Sequence, residues 1–113
     1  MIHIGAVLDG TGLLRSCTVK GHAGAGPKGD DIVCAAVSVL TRTALRILSE
    51  KEGIMVQGEA PERGLVRMEI DYTGEGREFL SAAGTFLLEG LKSISEEFPE
   101  YCTMNVNRQI TEE

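Results

Sequence analysis

The sequence has no tryptophan, and only 4% of its residues are aromatic. Its hydrophobic core must therefore be built from aliphatic side chains and methionine, and such small side chains favour close contact between helices and sheet. The three cysteines, Cys17, Cys34 and Cys102, are an odd number and form no CxxC pair, which argues against a disulfide framework and a zinc site. We expect reduced thiols, no metal and no cofactor.

The chain also lacks long apolar runs and excess positive charge. No run approaches the roughly 20 residues of a membrane span, and the N-terminus lacks a basic segment followed by an apolar one, so we expect a cytoplasmic protein without membrane contact. The 17 acidic and 11 basic residues give a net charge of -6, which disfavours direct binding of nucleic acid and favours a basic peptide partner. With 113 residues, 42% of them hydrophobic, residues 1–113 are predicted to form a single domain.

Hydrophobic periodicity predicts a mixed fold. Residues 2–8 and 13–22 alternate as strands, with Leu13, Cys17 and Val19 facing the core and His22 on the polar face. The other predicted elements are a helix from Asp30 or Asp31 to Gly53, strands 54–59 and 65–72, a helix 78–98 and a short strand from Cys102. In strand 65–72, Met68, Ile70 and Tyr72 share one face. These predict an α+β two-layer sandwich, a mostly antiparallel sheet with two long helices in the order ββαββα(β). Gly84 and Gly90 each cost the second helix about 1 kcal/mol relative to alanine, which indicates close backbone packing there.

The chemistry is concentrated between Lys20 and Thr41, KGHAGAGPKGDDIVCAAVSVLT. A strand is predicted to end at His22, a glycine-rich loop follows, and the next helix carries Cys34 in its first turn. The positive end of the helix dipole and a nearby imidazolium would both favour the thiolate, while unpaired N–H groups at the helix start could hold an oxyanion. We therefore predict that His22 and Cys34 form the dyad of a cysteine protease, in which His22 protonates the leaving amine.

Two polar residues could support this dyad. Negative charge at Asp30 or Asp31 opposes a thiolate, so one of these carboxylates is expected to orient His22 or to cap the helix. Ser38 follows Cys34 by one helical turn, and Thr41 extends the same polar edge. We assign Ser38 a supporting role.

Other interpretations fit the same residues. A cysteine among aliphatic neighbours is often a buried small hydrophobe, and a histidine at a strand end is often only solvated. Residues 24–29 also match the GxGxxG pattern of dinucleotide-binding loops, although Asp30 and Asp31 would face the pyrophosphate and the strand order provides little parallel sheet. No Gly-Lys-Ser/Thr occurs, so the loop does not match a Walker sequence. A mobile connection without a ligand is the remaining alternative.

The segments Gly21-His22-Ala23, Gly29, Asp31 and Ile32-Val33-Cys34-Ala35-Ala36-Val37-Ser38 together resemble the signature of the Prp family, the bacterial ribosomal-processing cysteine proteases. The resemblance implies a small homodimeric α/β protein in which His22 is the general base and Cys34 the nucleophile. Asp31 and Ser38 fall on motif positions of the family. The residues expected to contact substrate through the loop are Gly21, Ala23, Gly24, Gly26 and Gly29.

The same resemblance implies a substrate: a large-subunit ribosomal protein precursor whose N-terminal extension must be removed before the ribosome can assemble and function. An acidic enzyme suits a basic ribosomal protein. The alternative from another functional class is a non-catalytic, ribosome-associated binding module that uses the loop only for recognition.

Overall fold

The computed structural model describes residues 1–21, 28–62 and 65–109, with the backbone alone for residues 28–31 and 62. The described chain forms strands and helices in the order ββαββαβ, which confirms the predicted order. Their bounds are β1 Ile2–Leu8, β2 Leu14–Lys20, α1 Lys28–Ser49, β3 Ile54–Glu62, β4 Leu65–Tyr72, α2 Gly74–Glu97 and β5 Cys102–Arg108.

The strands form one sheet in the order β3-β4-β2-β1-β5. All neighbouring pairs are antiparallel except β1 and β5, so the predicted α+β class with a mostly antiparallel sheet is confirmed. α1 connects β2 to β3 and α2 connects β4 to β5, and the two strands of each pair are parallel to each other. The starting strands β2 and β4 are antiparallel, and the two connections cross the sheet in opposite directions. Right-handed crossovers therefore place both helices on the same face, where they contact each other.

The core lies between the helices and one face of the sheet. Along β4, Val66, Met68 and Ile70 are buried while Arg67 and Glu69 between them are exposed, as the alternation predicted. Each fully buried aliphatic side chain contributes roughly 1.5–3 kcal/mol through the surface it removes from water. The opposite face of the sheet is polar, so these side chains fix which face the helices cover.

Close packing at the glycines of α2 is confirmed. A Cβ atom at Gly90 would lie 2.7 Å from Cδ2 of Leu40 on α1, and one at Gly84 would lie 3.3 Å from Cβ of Leu14 on β2. The absence of side chains at these two positions allows α2 to approach both α1 and the sheet. This contact offsets the low helix propensity of glycine.

Asp9 holds together the end of the sheet where β1 turns into β2. Its Oδ1 accepts hydrogen bonds from the backbone N–H groups of Thr11 and Leu13, at 2.9 and 3.0 Å, and its Oδ2 accepts one from the Tyr72 hydroxyl at 2.5 Å. Burial raises the pKa of Asp9, but the hydrogen bonds from Tyr72, Thr11 and Leu13 outweigh it and hold this pKa well below its usual range. The ionised carboxylate therefore ties the β1–β2 turn to the end of β4.

We predict that Asp9→Asn lowers the free energy of unfolding at pH 7 by about 1–2 kcal/mol, because charge-assisted hydrogen bonds are lost. A carboxylate whose folded pKa is depressed stabilises the protein above its unfolded pKa of about 4, and this contribution disappears as the pH falls towards the folded pKa. Urea unfolding of wild type and Asp9→Asn at pH 7 and pH 3 measures the effect. An equal difference at both pH values would show that the charge of Asp9 contributes nothing.

Candidate active site

Gly21, the first of the predicted loop residues, follows β2 at one end of the sheet. Lys20, the last residue of β2, pairs with His3 on one side and Leu65 on the other, and Ile2 pairs with Cys102. The starts of β1, β4 and β5 therefore lie beside the end of β2. Residues 22–27 join Gly21 to Lys28, and this connection spans roughly 25 Å at most, so the start of α1 lies within that distance of Gly21.

Gly21, predicted as part of the substrate loop, also has a backbone role. Its φ of +120° is one that residues with a side chain rarely adopt, and a Cβ atom here would lie 2.3 Å from the carbonyl oxygen of Met1. The chain can therefore leave β2 beside the start of β1 only because this residue is glycine.

The prediction that α1 begins at Asp30 or Asp31 was wrong, because its helical backbone begins at Lys28. Neither aspartate is then the N-cap, and Gly29 belongs to the helix rather than the loop. The side chain of Asp31 lies outside the described residues, so its orienting role stays a prediction.

This start places Cys34 in the second turn of α1 and not in the first. The N–H groups without helical partners belong to residues 28–31, and in a helix that begins at Lys28 the N–H of Cys34 bonds to the carbonyl of residue 30. The hypothesis that unpaired N–H groups at Cys34 hold the oxyanion therefore loses its geometric basis, and the dipole effect is weaker one turn into the helix.

Cys34 itself is enclosed. Only 2% of its surface is exposed, and it belongs to the same core as Val33 and Val37. The alternative interpretation of a buried small residue thus describes its surroundings correctly. His22, Ala23, Gly24 and Gly26 lie outside the described residues, so the contact between imidazole and thiol stays a prediction.

Behind Cys34, one face of α1 carries buried polar side chains. Ser38 and Thr41 follow Cys34 by one and two helical turns, and 4% and 0% of their surfaces are exposed. They are the buried polar residues of the described chain. The Thr41 hydroxyl donates to the carbonyl oxygens of Val37 at 2.8 Å and Ser38 at 3.3 Å. The hydroxyls predicted at the edge of the site are therefore buried with the thiol, and the supporting role of Ser38 stays a prediction.

The other histidine and the other two thiols lie on different faces of the sheet, and the pairing of His22 with Cys34 stays a prediction. His3 is exposed on the open face of the sheet, where its Nδ1 lies 3.0 Å from the Thr103 hydroxyl. Cys17 and Cys102 face the helices, on the opposite side of the sheet. Because the chain has only two histidines, His22 is the remaining candidate base for any of its thiols.

Burial in the core raises the pKa of the other two thiols. It raises the pKa of the Cys17 thiol to about 12 and also raises the pKa of Cys102. Both thiols therefore stay protonated at neutral pH, whereas a thiolate is the nucleophilic form. These two residues serve the core and provide natural controls for Cys34.

The other ligand classes find little support in the fold. The described parts of the chain bring together no group of three or more His, Cys, Asp or Glu residues that could hold a metal ion. In a dinucleotide-binding fold, the helix after the glycine-rich loop joins two parallel strands that are neighbours in the sheet. Here α1 joins β2 to β3, and β4 lies between these two strands. The GxGxxG match is therefore in the wrong topology.

Known proteins show the same arrangement of elements. The family described as cysteine protease Prp matches residues 1–103. SMU.848 from Streptococcus mutans is 31% identical, with a TM-score of 0.79 over 96% of each chain. The ribosomal processing protease Prp from S. aureus in complex with a substrate peptide is 20% identical, with a TM-score of 0.79 over 94% of this chain and 99% of that chain. With a covalently linked product peptide, the S. aureus protein gives a TM-score of 0.76 at the same identity and coverage. No curated protein matches the chain.

Proposed function

The chain belongs to the family of the cysteine protease Prp, and from this membership we propose that it removes the N-terminal extension of a large-subunit ribosomal protein precursor. The observation that carries the proposal is the position of Cys34 on α1, the helix that follows the loop containing His22. Two further facts support it: S. aureus Prp was solved with a substrate peptide, and a net charge of -6 attracts a basic precursor.

In the proposed reaction His22 accepts the proton of the Cys34 thiol, and the sulfur attacks the carbonyl carbon of the scissile peptide bond. Collapse of the tetrahedral intermediate breaks the C–N bond, while His22 returns the proton to the leaving amine and a thioester remains on Cys34. Water then attacks the thioester with His22 as general base. Its hydrolysis releases the carboxylic acid product and restores the thiol.

Enclosure of the thiol adds a step. Since only 2% of Cys34 is exposed, a peptide carbonyl would reach its sulfur only after the residues that enclose the thiol have moved. Substrate binding would then both open the site and align the dyad. The same observation favours the second candidate, a non-catalytic ribosome-associated binding module in which Cys34 is only a core residue.

The proposal includes a setting for the reaction. As the family resemblance implies, the protease would act as a homodimer in the cytoplasm, where it supports ribosome biogenesis. Its partner would be the ribosomal protein precursor, with no direct contact to nucleic acid or membrane.

We predict that His22→Ala lowers kcat/KM for cleavage of the host's unprocessed ribosomal protein by about 10²–10⁴-fold, the usual contribution of a positioned acid or base. His3→Ala is the matched control and should cleave like wild type, because His3 lies on the opposite face of the sheet. Mass spectrometry of the released extension measures both rates. Full activity in His22→Ala would exclude the proposed dyad, and absence of cleavage by wild type would favour the binding module.

A further inference from the structure

The two edge strands of the sheet differ in how well they resist pairing with another chain. β3 contains Gly58 and Pro61, and its register with β4 shifts after Glu59. Interruptions of this kind prevent a further strand from adding to an edge. β5 contains neither glycine nor proline, and it pairs with β1 over its whole length without a shift. The open side of β5 is therefore a regular template for one more strand.

The backbone of β5 alternates between its neighbour β1 and the open side. The carbonyl oxygen of Tyr101 and the N–H of Gln109 both bond to β1, at 2.9 and 2.7 Å, so the odd-numbered residues of this segment turn their backbone groups towards β1. The even-numbered residues between them turn their backbone groups the other way. Met104 and Val106 therefore present N–H and C=O groups at the open edge, where a further strand could bond to them.

An apolar groove lies beside this edge, between β5 and α2. Its volume is about 470 Å³, and its apolar lining consists of Leu8, Leu88, Met104 and Val106. Val106 is 46% exposed although its side chain is aliphatic. A strand added to β5 would place every second side chain over this groove, because successive side chains of a strand point to opposite faces of the sheet. We call the open edge of β5 together with this groove the β5 groove.

The rim of the β5 groove favours a basic occupant. Glu89 and Glu96 line it from α2, together with Lys92, and none of these three side chains forms an ion pair with another described residue. α2 ends in Glu96 and Glu97 and has no basic residue in its last turn, although the negative end of the helix dipole would favour one. A positively charged peptide would supply the missing charge.

The β5 groove leads to the candidate active site. β5 begins at the end of the sheet where Gly21 follows β2, and β1 lies between these two strands. Because neighbouring strands are about 4.8 Å apart, the start of β5 lies about 10 Å from the end of β2. A peptide paired with β5 could therefore reach the end of β2 within a few residues.

We propose that the β5 groove binds an extended segment of the ribosomal protein precursor as an additional strand of the sheet. Apolar side chains of the segment fill the groove over Met104 and Val106, and its basic side chains contact Glu89 and Glu96. The inference rests on the proposed function, since the precursor is the basic chain that this protease would cleave. Backbone hydrogen bonds to β5 supply affinity in such a complex, and the groove supplies specificity. The precursor is thus recognised at a surface separate from the thiol.

Amide hydrogen exchange, followed by NMR, tests the added strand. The probe is a synthetic peptide that covers the N-terminal extension and the first mature residues of the host's ribosomal protein, and Cys34→Ala keeps it intact. Binding should slow exchange at the N–H groups of Met104 and Val106 by at least about 10-fold. The N–H groups of Asn105 and Asn107 bond to β1 and should exchange slowly with and without the peptide. Saturating peptide that leaves exchange at Met104 and Val106 unchanged would overturn the proposal.

Fluorescence anisotropy of the labelled peptide tests the residues of the β5 groove, again with Cys34→Ala as the parent chain. Val106→Pro removes an N–H at the open edge but leaves the bonds to β1, and Glu96→Lys reverses a charge on the rim, so each should raise the Kd by at least about 10-fold. Glu52→Lys is the matched control, because it makes the same charge change at an exposed residue in the turn after α1. It should bind like the parent chain.

Circular dichroism and Tm establish that each of these variants is folded. Equal weakening by Glu52→Lys and Glu96→Lys would reduce the effect to net charge and contradict the β5 groove, as would unchanged binding by both Val106→Pro and Glu96→Lys. The two proposals fail separately. A peptide bound at the β5 groove that wild type does not cleave would refute only the proposed function, whereas cleavage of the precursor at the full rate by both groove variants would refute only the docking.

Discussion

Cys34→Ala is expected to abolish cleavage of the ribosomal protein precursor while the fold is retained. In the proposed reaction the sulfur of Cys34 forms the thioester, whereas Cys17 and Cys102 lie on β2 and β5 and not on the helix that follows His22 in the chain. Loss of a catalytic nucleophile lowers turnover by about 10⁴-fold or more in comparable enzymes. Single-turnover cleavage, followed by mass spectrometry of the released extension, gives the rate.

Cys17→Ala and Cys102→Ala are the matched controls for this variant. All three substitutions remove one buried sulfur, so each should destabilise the fold by a similar amount, about 1–2 kcal/mol by the cost of a small cavity. Only Cys34→Ala should lose activity. Cleavage that survives in Cys34→Ala would mean that the proposed nucleophile is wrong, and equal losses in all three variants would attribute the effect to stability.

Gly76→Ala is expected to destabilise the fold more than any other substitution considered. A Cβ atom at this third residue of α2 would lie 2.3 Å from the carbonyl oxygen of Gly53 and 2.7 Å from Cγ1 of Ile54. Neither the turn at Gly53, whose φ is +85°, nor the buried start of β3 can move freely away. We expect a loss of about 3 kcal/mol, which corresponds to a fall in Tm of roughly 10–20 °C.

Gly74→Ala, two residues earlier in the same helix, provides the control. Beyond the adjoining residues and the helix's own backbone, no atom lies within 4 Å of a Cβ placed there, so alanine should be neutral or should stabilise the protein by up to about 1 kcal/mol through its lower entropy in the unfolded state. Urea unfolding of both variants measures the difference. If Gly76→Ala unfolds at the same urea concentration as Gly74→Ala, the backbone contact between α2 and the β3 turn is less tight than described.

The periodicity of the sequence was sufficient to identify each helix and strand in the described parts of the chain. Alternation predicted β4 to the residue, from Leu65 to Tyr72, because its side chains switch strictly between a buried and a solvated face. Helix starts were less accurate, because amphipathic spacing begins only where a side chain reaches the core. The first turn of α2 starts at Gly74, four residues before the predicted 78, since Gly74, Glu75 and Arg77 carry no apolar signal and Gly76 has no side chain.

The sequence predicts the candidate site as a motif, and the pairing of His22 with Cys34 stays a prediction. The spacing of His22 and Cys34 predicts a dyad across a loop. Burial of the thiol depends instead on the rotation of α1 about its own axis relative to the sheet. Sequence periodicity gives the face of a helix and not the depth of one residue, so the enclosure of Cys34, Ser38 and Thr41 could not be derived from it.

The parallel pairing of β1 with β5 has a consequence for biosynthesis. Ile2 on β1 pairs with Cys102 on β5, so one edge of β1 stays uncovered until residues 102–108 have emerged. Hairpins β1–β2 and β3–β4 can form early, because their partners are close in sequence. Closure of the sheet must wait for the last strand, and a chain truncated before residue 102 would expose this edge to association with other nascent chains.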